Sequence, residues 1–311
     1  MIQERADIPV LVVGSAALDT ISTPTERVED EIGGSALYFA AAAGTIAPVR
    51  VVAVVGGDFP WAKIDFLRGR GVDLDGIERA EGKTFRWKGV YHADMEGRDT
   101  LATELNVFAE FRPRIPPHYR ATSHVFLGNI DPDLQLNVLE SLPEASCVAL
   151  DTMNFWIEGS RAALDRVLAR ASVVILNESE ARLLTGRTSL TQAARAVAAL
   201  GPRRVVIKKG SHGAMLWDGD GFFQCPAVPL ENVIDPTGAG DCFAGGFMGY
   251  LAAHPSPRPE HYREALVYGN VLASFSVESF GLGGLSQITP GDVEARRRTL
   301  LATLPGNADR G

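Results

Sequence analysis

Short apolar runs that alternate with helical patterns constrain the fold of this chain more than any other feature. The runs have the length of buried parallel strands and end at glycine or polar residues. They occupy residues 10–14, 50–55, 124–127, 147–150, 172–176 and 204–208. Helical patterns separate them at residues 36–43, 61–70, 134–142, 160–169, 178–184 and 191–200. This alternation predicts an α/β fold, in which a doubly wound, mostly parallel sheet is flanked by helices.

Residues 76–105 have a different pattern. Residues 84–92 alternate, which places Phe85, Trp87 and Tyr91 on one face of a strand. A turn at 96–98 and a second extended run at 100–105 complete a hairpin. We therefore expect a small sheet at 76–105, inserted into an α/β body of residues 1–75 and 106–311. Residues near 15–32 are a further candidate part of this sheet.

The composition excludes several classes of protein. The chain has 311 residues, of which 46% are apolar, and this suits one large domain with a smaller one. A formal net charge of −8 argues against binding to nucleic acid or to a membrane surface, because both favour basic patches. No apolar run approaches the roughly 20 residues that span a bilayer. The N-terminal segment is charged, and the three cysteines match neither a disulfide framework nor a metal site. We expect a cytoplasmic protein.

The stretch at 235–250 carries the strongest signal for chemistry. Asp235-Pro236 indicates a turn, small residues follow at 238–240, and a helical run begins near 242. The first N–H groups of a helix have no internal partner and carry the positive end of its dipole, so they bind anions, typically phosphate. Asp241 would lie inside this cradle as a proton acceptor beside a phosphoryl group. The alternative is a tight turn in which Asp241 is an ordinary acid of the first helical turn.

Two other phosphate-binding motifs do not match the chain. Gly82-Lys83-Thr84 has the last three residues of a Walker A loop, but the earlier glycine, Gly76, is one position too distant, and a strand pattern follows where the loop requires a helix. The dinucleotide-binding pattern fails because its third glycine would fall at Phe243.

The run from Asp235 to Phe243, followed by Gly245 and Gly246, resembles the C-terminal signature of the ribokinase family of carbohydrate and nucleoside kinases, also called the PfkB family. The resemblance implies a ribokinase-like body with the inserted sheet as a lid, ATP and Mg²⁺ as cofactors, and a homodimer formed through the lid. It implies that Asp241 is the general base. The same resemblance assigns the anion hole to Gly238, Ala239 and Gly240, and makes Asp235 and Thr237 candidates for holding a monovalent cation, K⁺.

The resemblance extends to the nucleotide side. Asn177-Glu-Ser-Glu180 is similar to the family's Asn-x-x-Glu motif, which makes Asn177 a nucleotide contact and Glu180 a candidate Mg²⁺ ligand acting through water. The alternative is a helix N-terminus, with Asn177 as the cap and Glu180 at the third position. Further candidate ATP contacts are Lys208, Gly210, Gly213, Asn270 and Ser274. The last two could equally be polar residues of a helix surface.

On the acceptor side, Asp19, Gly33 and Gly34 match positions that hold sugar hydroxyls in the family. The chain departs from the family pattern at three places: Tyr38 replaces a frequent asparagine, the glutamate that ribokinases carry is missing around residues 126–129, with Asn129 nearby, and the stretch ending at Asn154 is one residue longer than the family's Asp-x-Asn. These departures argue against ribose itself. Phe85, Trp87 and Asn106 complete the candidate acceptor contacts. The aromatic face favours a flatter acceptor such as a nucleoside, or it packs a lid–lid interface.

The sequence therefore predicts an ATP-dependent phosphotransferase that acts on a hydroxyl of a small sugar or sugar-like alcohol. A nucleoside kinase of the same family is one alternative. A non-catalytic sensor of sugars or nucleotides is another.

Overall fold

The computed structural model describes residues 7–254 and 256–304. Residues 1–6, which bear on the expected absence of a signal segment, lie outside this range. The strands, in chain order, are β1 Val10–Val13, β2 Ala17–Ser22, β3 Arg27–Gly33, β4 Val49–Val55, β5 Val72–Arg79, β6 Phe85–Tyr91, β7 Arg98–Glu104, β8 His124–Leu127, β9 Cys147–Leu150, β10 Val173–Asn177, β11 Arg204–Lys208, β12 Ala214–Trp217 and β13 Phe222–Cys225.

The helices cover both faces of the larger sheet. They are α1 Ser35–Ala43, α2 Asp65–Gly69, α3 Pro132–Glu140, α4 Asn154–Gly159, α5 Arg161–Leu168, α6 Glu178–Thr185, α7 Leu190–Ala198, α8 Ala239–Ala252, α9 Pro259–Ser276, α10 Gly283–Ser286 and α11 Pro290–Ala302. Short 3-10 helices lie at Trp61–Ile64, Asn106–Glu110, Pro117–Tyr119 and Gly210–His212. No helix in the described ranges combines the length and apolar character needed to cross a bilayer.

The larger sheet has nine strands in the order β13-β12-β11-β10-β9-β8-β1-β4-β5. The seven strands from β11 to β5 are parallel, and the hairpin β12–β13 extends the sheet with antiparallel pairs. Strand β1 shows why the apolar runs are continuous: Val10 and Val12 pack in one core, and Leu11 and Val13 in the core on the opposite face. The predicted ribokinase-like α/β fold is confirmed.

The smaller sheet has four strands in the order β3-β2-β6-β7. Strands β2 and β3 are antiparallel, as are β6 and β7, whereas β2 and β6 are parallel. Residues 76–79, which the sequence assigned to this sheet, belong instead to β5 and pair with β4 at the edge of the larger sheet. An edge strand that is buried on one face alternates like a lid strand, and only its partner distinguishes the two.

Helix α8 lies between α1 and α9, and its glycines allow this close packing. A Cβ on Gly245 would lie 2.5 Å from the Phe39 carbonyl oxygen in α1, and a Cβ on Gly246 would lie 2.5 Å from that of Tyr268 in α9. At Gly249 the nearest atom would be 3.4 Å away, which is an ordinary contact. The first two glycines therefore set the position of α8 against backbone, and the third does not.

We expect Gly246→Ala to destabilise the protein by about 1–3 kcal/mol, because the added methyl group displaces α9. Gly249→Ala in the same helix is the matched control. It should stabilise the protein by up to about 1 kcal/mol, because alanine forms helix better than glycine. Urea denaturation measures both changes, and equal effects at the two positions would contradict this account of the packing.

Candidate active site

The N-terminus of α8 opens at the carboxyl edge of the larger sheet. Gly238 caps the helix with a left-handed φ of 75°, and a Cβ there would lie 2.3 Å from the Tyr38 ring, so two independent constraints require glycine. The Ala239 N–H donates to the Pro236 carbonyl at 3.2 Å. In the described ranges the N–H groups of Gly240 and Asp241 have no protein acceptor. Two unpaired donors at the positive end of a 14-residue helix can bind an anion.

A buried cation lies beside this helix end. Lys208, the last residue of β11, places its Nζ where it would be 2.7 Å from a Cβ on Gly240. The same Nζ forms an ion pair of 3.4 Å with Asp151, which follows β9. Burial alone would lower the pKa of Lys208, but the carboxylates of Asp151 and Glu180 outweigh burial and raise it. The ammonium group therefore stays charged next to the unpaired N–H groups.

Asp241 lies in the first turn of α8, where its carboxyl group is poised to titrate near neutrality. Burial and the negative charge of Asp151 raise its pKa to about 7, while the positive charges of Lys208 and Arg98 oppose the rise. A carboxyl group whose pKa matches the working pH can accept a proton efficiently.

Glu180 has two roles at the start of α6. It completes a capping box, in which Asn177 Oδ1 accepts from the Glu180 N–H at 2.8 Å and Glu180 Oε2 accepts from the Asn177 N–H at 2.7 Å. Burial and the charge of Asp151 also raise the pKa of Glu180 to about 7, against the effect of Lys208. Glu180 therefore caps α6 and also lies near the charged groups of Asp151 and Lys208. Asn177 Oδ1 is committed to the cap and also accepts from the Ser179 hydroxyl at 2.7 Å.

The acceptor-side residues converge on the same edge. The Asp19 carboxylate packs so closely on Gly33 that a Cβ there would lie 1.9 Å from Oδ2, and Gly34 takes a φ of 95° at the start of α1. Asp19 is 4% exposed. Burial and the charge of Asp235 raise its pKa to about 7, and Arg98 opposes them. The charge of Asp241 also raises the pKa of Asp19, so the two carboxyl groups lie close enough to interact electrostatically.

Tyr38 closes the floor of this space. The side chain is 1% exposed, its ring lies against Gly238, and its hydroxyl has no hydrogen-bond partner in the part of the chain that the structure describes. Burial, followed by the charges of Asp19 and Asp235, raises the pKa of the phenol well above its ordinary value. The phenol therefore stays neutral at the position where the family often carries asparagine.

The turn before α8 contains an unsatisfied carboxylate oxygen. Asp235 is 1% exposed, and its Oδ1 accepts from the Thr237 N–H at 2.9 Å. No donor among the described residues reaches its buried Oδ2 with hydrogen-bond geometry, although the Gly281 N–H lies close enough to the carboxyl group to oppose the rise in its pKa that burial causes. Thr237 Oγ1 forms a hydrogen bond of 2.9 Å with the Tyr91 hydroxyl. A buried carboxylate oxygen without a donor is costly, and a monovalent cation bound to Asp235 Oδ2 would offset that cost. The hydrogen bond between Tyr91 and Thr237 also brings the lid into direct contact with this turn.

The other predicted acceptor residues make contacts of their own. The Phe85 ring stacks on Phe108, Trp87 Nε1 donates to Thr100 Oγ1, and Asn106 Nδ2 donates to the Thr84 carbonyl. Asn129 follows β8 and accepts from Trp156 Nε1 at 2.9 Å. Asn154 is exposed at the start of α4. None of these five side chains interacts directly with Asp241 in the described structure.

The nucleotide-side residues divide into two groups. Lys208, Gly210 and Gly213 lie in or beside the turn after β11, where both glycines have positive φ. Asn270 and Ser274 are buried in α9 rather than on its surface, and their side chains donate hydrogen bonds to the carbonyls of Leu266 and Val271.

Arg98 and Asp151 were not predicted as site residues. The motif at 151–154 was a signal for Asp151, whereas Arg98 follows a turn in the lid and has no local signal.

The raised pKa of Asp19 predicts how stability changes with pH. The pKa of Asp19 is about 7 in the folded protein and exceeds the ordinary value of 3.8. The contribution of Asp19 to the free energy of unfolding is therefore greatest at acid pH and falls as the pH rises through 7. Asp19→Asn should therefore raise the free energy of unfolding at pH 8, by on the order of 2 kcal/mol, and the gain should shrink towards pH 4. Urea denaturation across this range measures the difference.

Asp58→Asn is the control of opposite sign. Burial alone would raise the pKa of Asp58, but hydrogen bonds from Thr84 and Arg86 outweigh it and lower the pKa. This variant should lose stability at pH 8. A loss of stability in Asp19→Asn at pH 8 would show that the Asp19 carboxylate is stabilised where it lies.

Comparisons with known proteins identify the family to which this chain belongs. The profile of the pfkB family of carbohydrate kinases matches residues 9–288. A cytidine kinase from Thermococcus kodakarensis is 32% identical over 256 residues, which cover 80% of this chain and 90% of that protein.

Solved structures share the fold. The aminoimidazole riboside kinase from Salmonella enterica, complexed with aminoimidazole riboside and an ATP analogue, has a TM-score of 0.73 at 19% identity, over 93% of this chain and 99% of that one. Arabidopsis thaliana ribokinase, complexed with ribose and ATP, has a TM-score of 0.75 at 23% identity, over 94% and 99% of the chains. This chain belongs to the pfkB family and is a kinase of the carbohydrate and nucleoside type.

Proposed function

We propose that this protein transfers the γ-phosphoryl group of ATP to a hydroxyl of a ribonucleoside, with Asp241 as the general base. The observation that carries the proposal is the start of α8, where two unpaired N–H groups, the Lys208 ammonium and a carboxyl group with a pKa of about 7 converge. Phosphoryl transfer needs a group that takes the hydroxyl proton and positive charge that stabilises the moving phosphoryl group. The start of α8 supplies both.

Each residue then has a defined task. Asp241 accepts the proton of the attacking hydroxyl, and the N–H groups of Gly240 and Asp241 bind the phosphoryl oxygens as an anion hole. Asp19 orients the acceptor against Gly33 and Gly34. The turn at Gly210 and Gly213, with Asn177, Asn270 and Ser274 nearby in the fold, forms the nucleotide side.

The carboxylates of Asp151 and Glu180 suit Mg²⁺. Both are oxygen donors, and Glu180 is buried with a raised pKa, which a divalent cation would relieve. Bound Mg²⁺ would neutralise phosphate charge. By the same argument, Asp235 Oδ2 suits K⁺ beside Thr237. We also propose a homodimer through the lid, since Leu101 in β7 is a large apolar side chain that is 56% exposed.

The ribonucleoside is favoured over a free sugar by two observations. The relative with the substantial match described above is named a cytidine kinase. The buried Tyr38 ring also replaces the amide that ribokinases often place near the sugar. The alternative of a silent sensor requires an intact site without turnover, and the experiments below separate these possibilities.

Asp241→Asn should lower kcat by about 1000-fold, because the amide cannot accept the proton. The affinity for ATP, measured by calorimetry with a non-hydrolysable analogue, should change little. Asp220→Asn, at an exposed turn, is the control and should keep full activity. Retention of near-normal turnover in Asp241→Asn would rule out this residue as the base.

An acceptor panel tests the substrate class. ADP release should be fastest, in kcat/KM, with one of the nucleosides cytidine, uridine, adenosine or inosine, and slower with ribose, fructose or 2-dehydro-3-deoxygluconate. Activity with a free sugar and with none of the nucleosides would show that the acceptor is a sugar. Absence of ADP release with every compound, while the ATP analogue still binds, would favour the sensor.

A further inference from the structure

Arg98 brings a positive charge from the lid to the start of α8. It is the first residue of β7, and its Nη1 donates to the Tyr91 hydroxyl at 3.3 Å. Tyr91 in turn bonds Thr237 Oγ1, and Thr237 immediately precedes the helix cap Gly238. Two consecutive hydrogen bonds therefore connect this lid guanidinium to the residue that precedes the anion-binding end of the helix.

The guanidinium has no ion-pair partner of its own. In the described ranges no carboxylate lies within 4.0 Å of it, whereas Arg86 in the same sheet is paired with both Asp30 and Asp58. The Trp87 ring lies 5.2 Å from its Cζ and supports it from the lid side. Arg98 thus retains donors that are not committed to a carboxylate, although it lies near several.

The charges around Arg98 come from the residues of the proposed reaction. Arg98 is exposed along β7, and partial burial of its guanidinium would lower its pKa, but Tyr91, Asp241 and Asp19 outweigh this effect and raise it. The effect is mutual, since Arg98 opposes the raised pKa values of Asp19, Glu180, Asp235 and Asp241. Lys208 is the other cation of this cluster, and it is paired with Asp151. An incoming phosphoryl group adds negative charge to a cluster that already holds more carboxylates than cations.

The hairpin that carries Arg98 contacts both halves of the site. At its tip, Glu96 Oε1 accepts from the Ser211 hydroxyl at 2.9 Å, and Ser211 lies in the turn after β11 on the nucleotide side. At the same end of the hairpin, Tyr91, the last residue of β6, contacts Thr237 beside α8. Arg98 pairs with Tyr91 and follows Glu96 by two residues, so it lies close to both contacts.

We propose that Arg98 is a catalytic residue whose guanidinium binds the phosphoryl group during its transfer, on the side opposite the N–H groups of α8. This inference rests on the proposed function. In the step, the acceptor oxygen forms a bond to the γ-phosphorus, and the bond from that phosphorus to the β,γ-bridging oxygen breaks. ADP leaves with the electron pair, and the acceptor proton moves to Asp241. Arg98 neither gains nor loses a proton, and it stabilises the charge by charge-assisted hydrogen bonds.

The test compares Arg98→Met, Arg98→Lys and Lys88→Met. Arg98→Met should lower kcat by about 100-fold or more, because a guanidinium contact to a transferring phosphoryl group is worth this much or more. It should weaken binding of the γ-phosphate analogue AMP-PNP severalfold by calorimetry and leave ADP binding unchanged. Arg98→Lys keeps the charge and should recover part of kcat. Lys88 lies on the opposite face of β6 from Trp87, so Lys88→Met removes the same charge and should keep full activity.

The outcomes separate the two levels of the hypothesis. An active wild type with an Arg98→Met variant of equal kcat, or with equal losses of AMP-PNP and ADP affinity, overturns the role of Arg98 alone. A wild type that binds no AMP-PNP and phosphorylates no acceptor overturns the proposed function as well. If thermal melting shows that Arg98→Met does not fold, Arg98→Lys decides: wild-type activity there contradicts a bidentate guanidinium contact, and a partial loss supports it.

Discussion

The carboxylate of Asp241 is held at the positive end of α8, and the rest of the site depends on this one electrostatic balance. Removing a carboxylate from water favours its protonated form, and Asp151 adds repulsion. Lys208 and Arg98 restore part of the preference for the charged form. Burial and repulsion outweigh the two cations, so the pKa rises from 3.8 to about 7, and at neutral pH the protonated and charged forms are both well populated. A base with a much lower pKa would be weak, and one with a much higher pKa would be protonated.

The fold supplies this balance through close packing and sheet topology. Gly245 and Gly246 let α8 approach α1 and α9 at backbone distance, and Gly238 lets the chain turn over the Tyr38 ring. The parallel order of β9, β10 and β11 then brings Asp151, Glu180 and Lys208 to one edge, although they lie far apart in sequence. Ligands of open α/β sheets bind at such carboxyl edges. Strand β6 places Tyr91 against Thr237 beside the same helix end, and Arg98 at the start of β7 donates to Tyr91.

Sequence patterns predicted the features that depend on local chemistry. The apolar runs identified six of the nine strands of the larger sheet, since a buried parallel strand is apolar on both faces. The helix start at Asp241 was also visible, because its turn, small residues and acid are contiguous. For Glu180 the two interpretations, a capping box and a charged site residue, are both present in the structure. Local pattern alone could not have combined them.

The features that the sequence did not predict depend on contacts between residues that are far apart in the chain. Residues 76–79 alternate like the lid, yet they pair with β4, and no local property distinguishes these partners. Arg98 is one of several lid arginines and lysines, and only the contact of Tyr91 with Thr237 shows that it reaches the site. The packing of Tyr38 on Gly238 likewise joins two motifs that the sequence presents separately.

The most direct measurement is a crystal structure of the protein with ADP, Mg²⁺, aluminium fluoride and the best acceptor from the panel, since this complex mimics the phosphoryl group in transfer. The account predicts that the fluoroaluminate accepts hydrogen bonds from the N–H groups of Gly240 and Asp241, with the acceptor hydroxyl within hydrogen-bond distance of the Asp241 carboxylate. Binding of the nucleotide and fluoroaluminate in a different place, such as the cleft of about 550 Å³ lined by Val228, Leu230, Glu278 and Arg296, would contradict it.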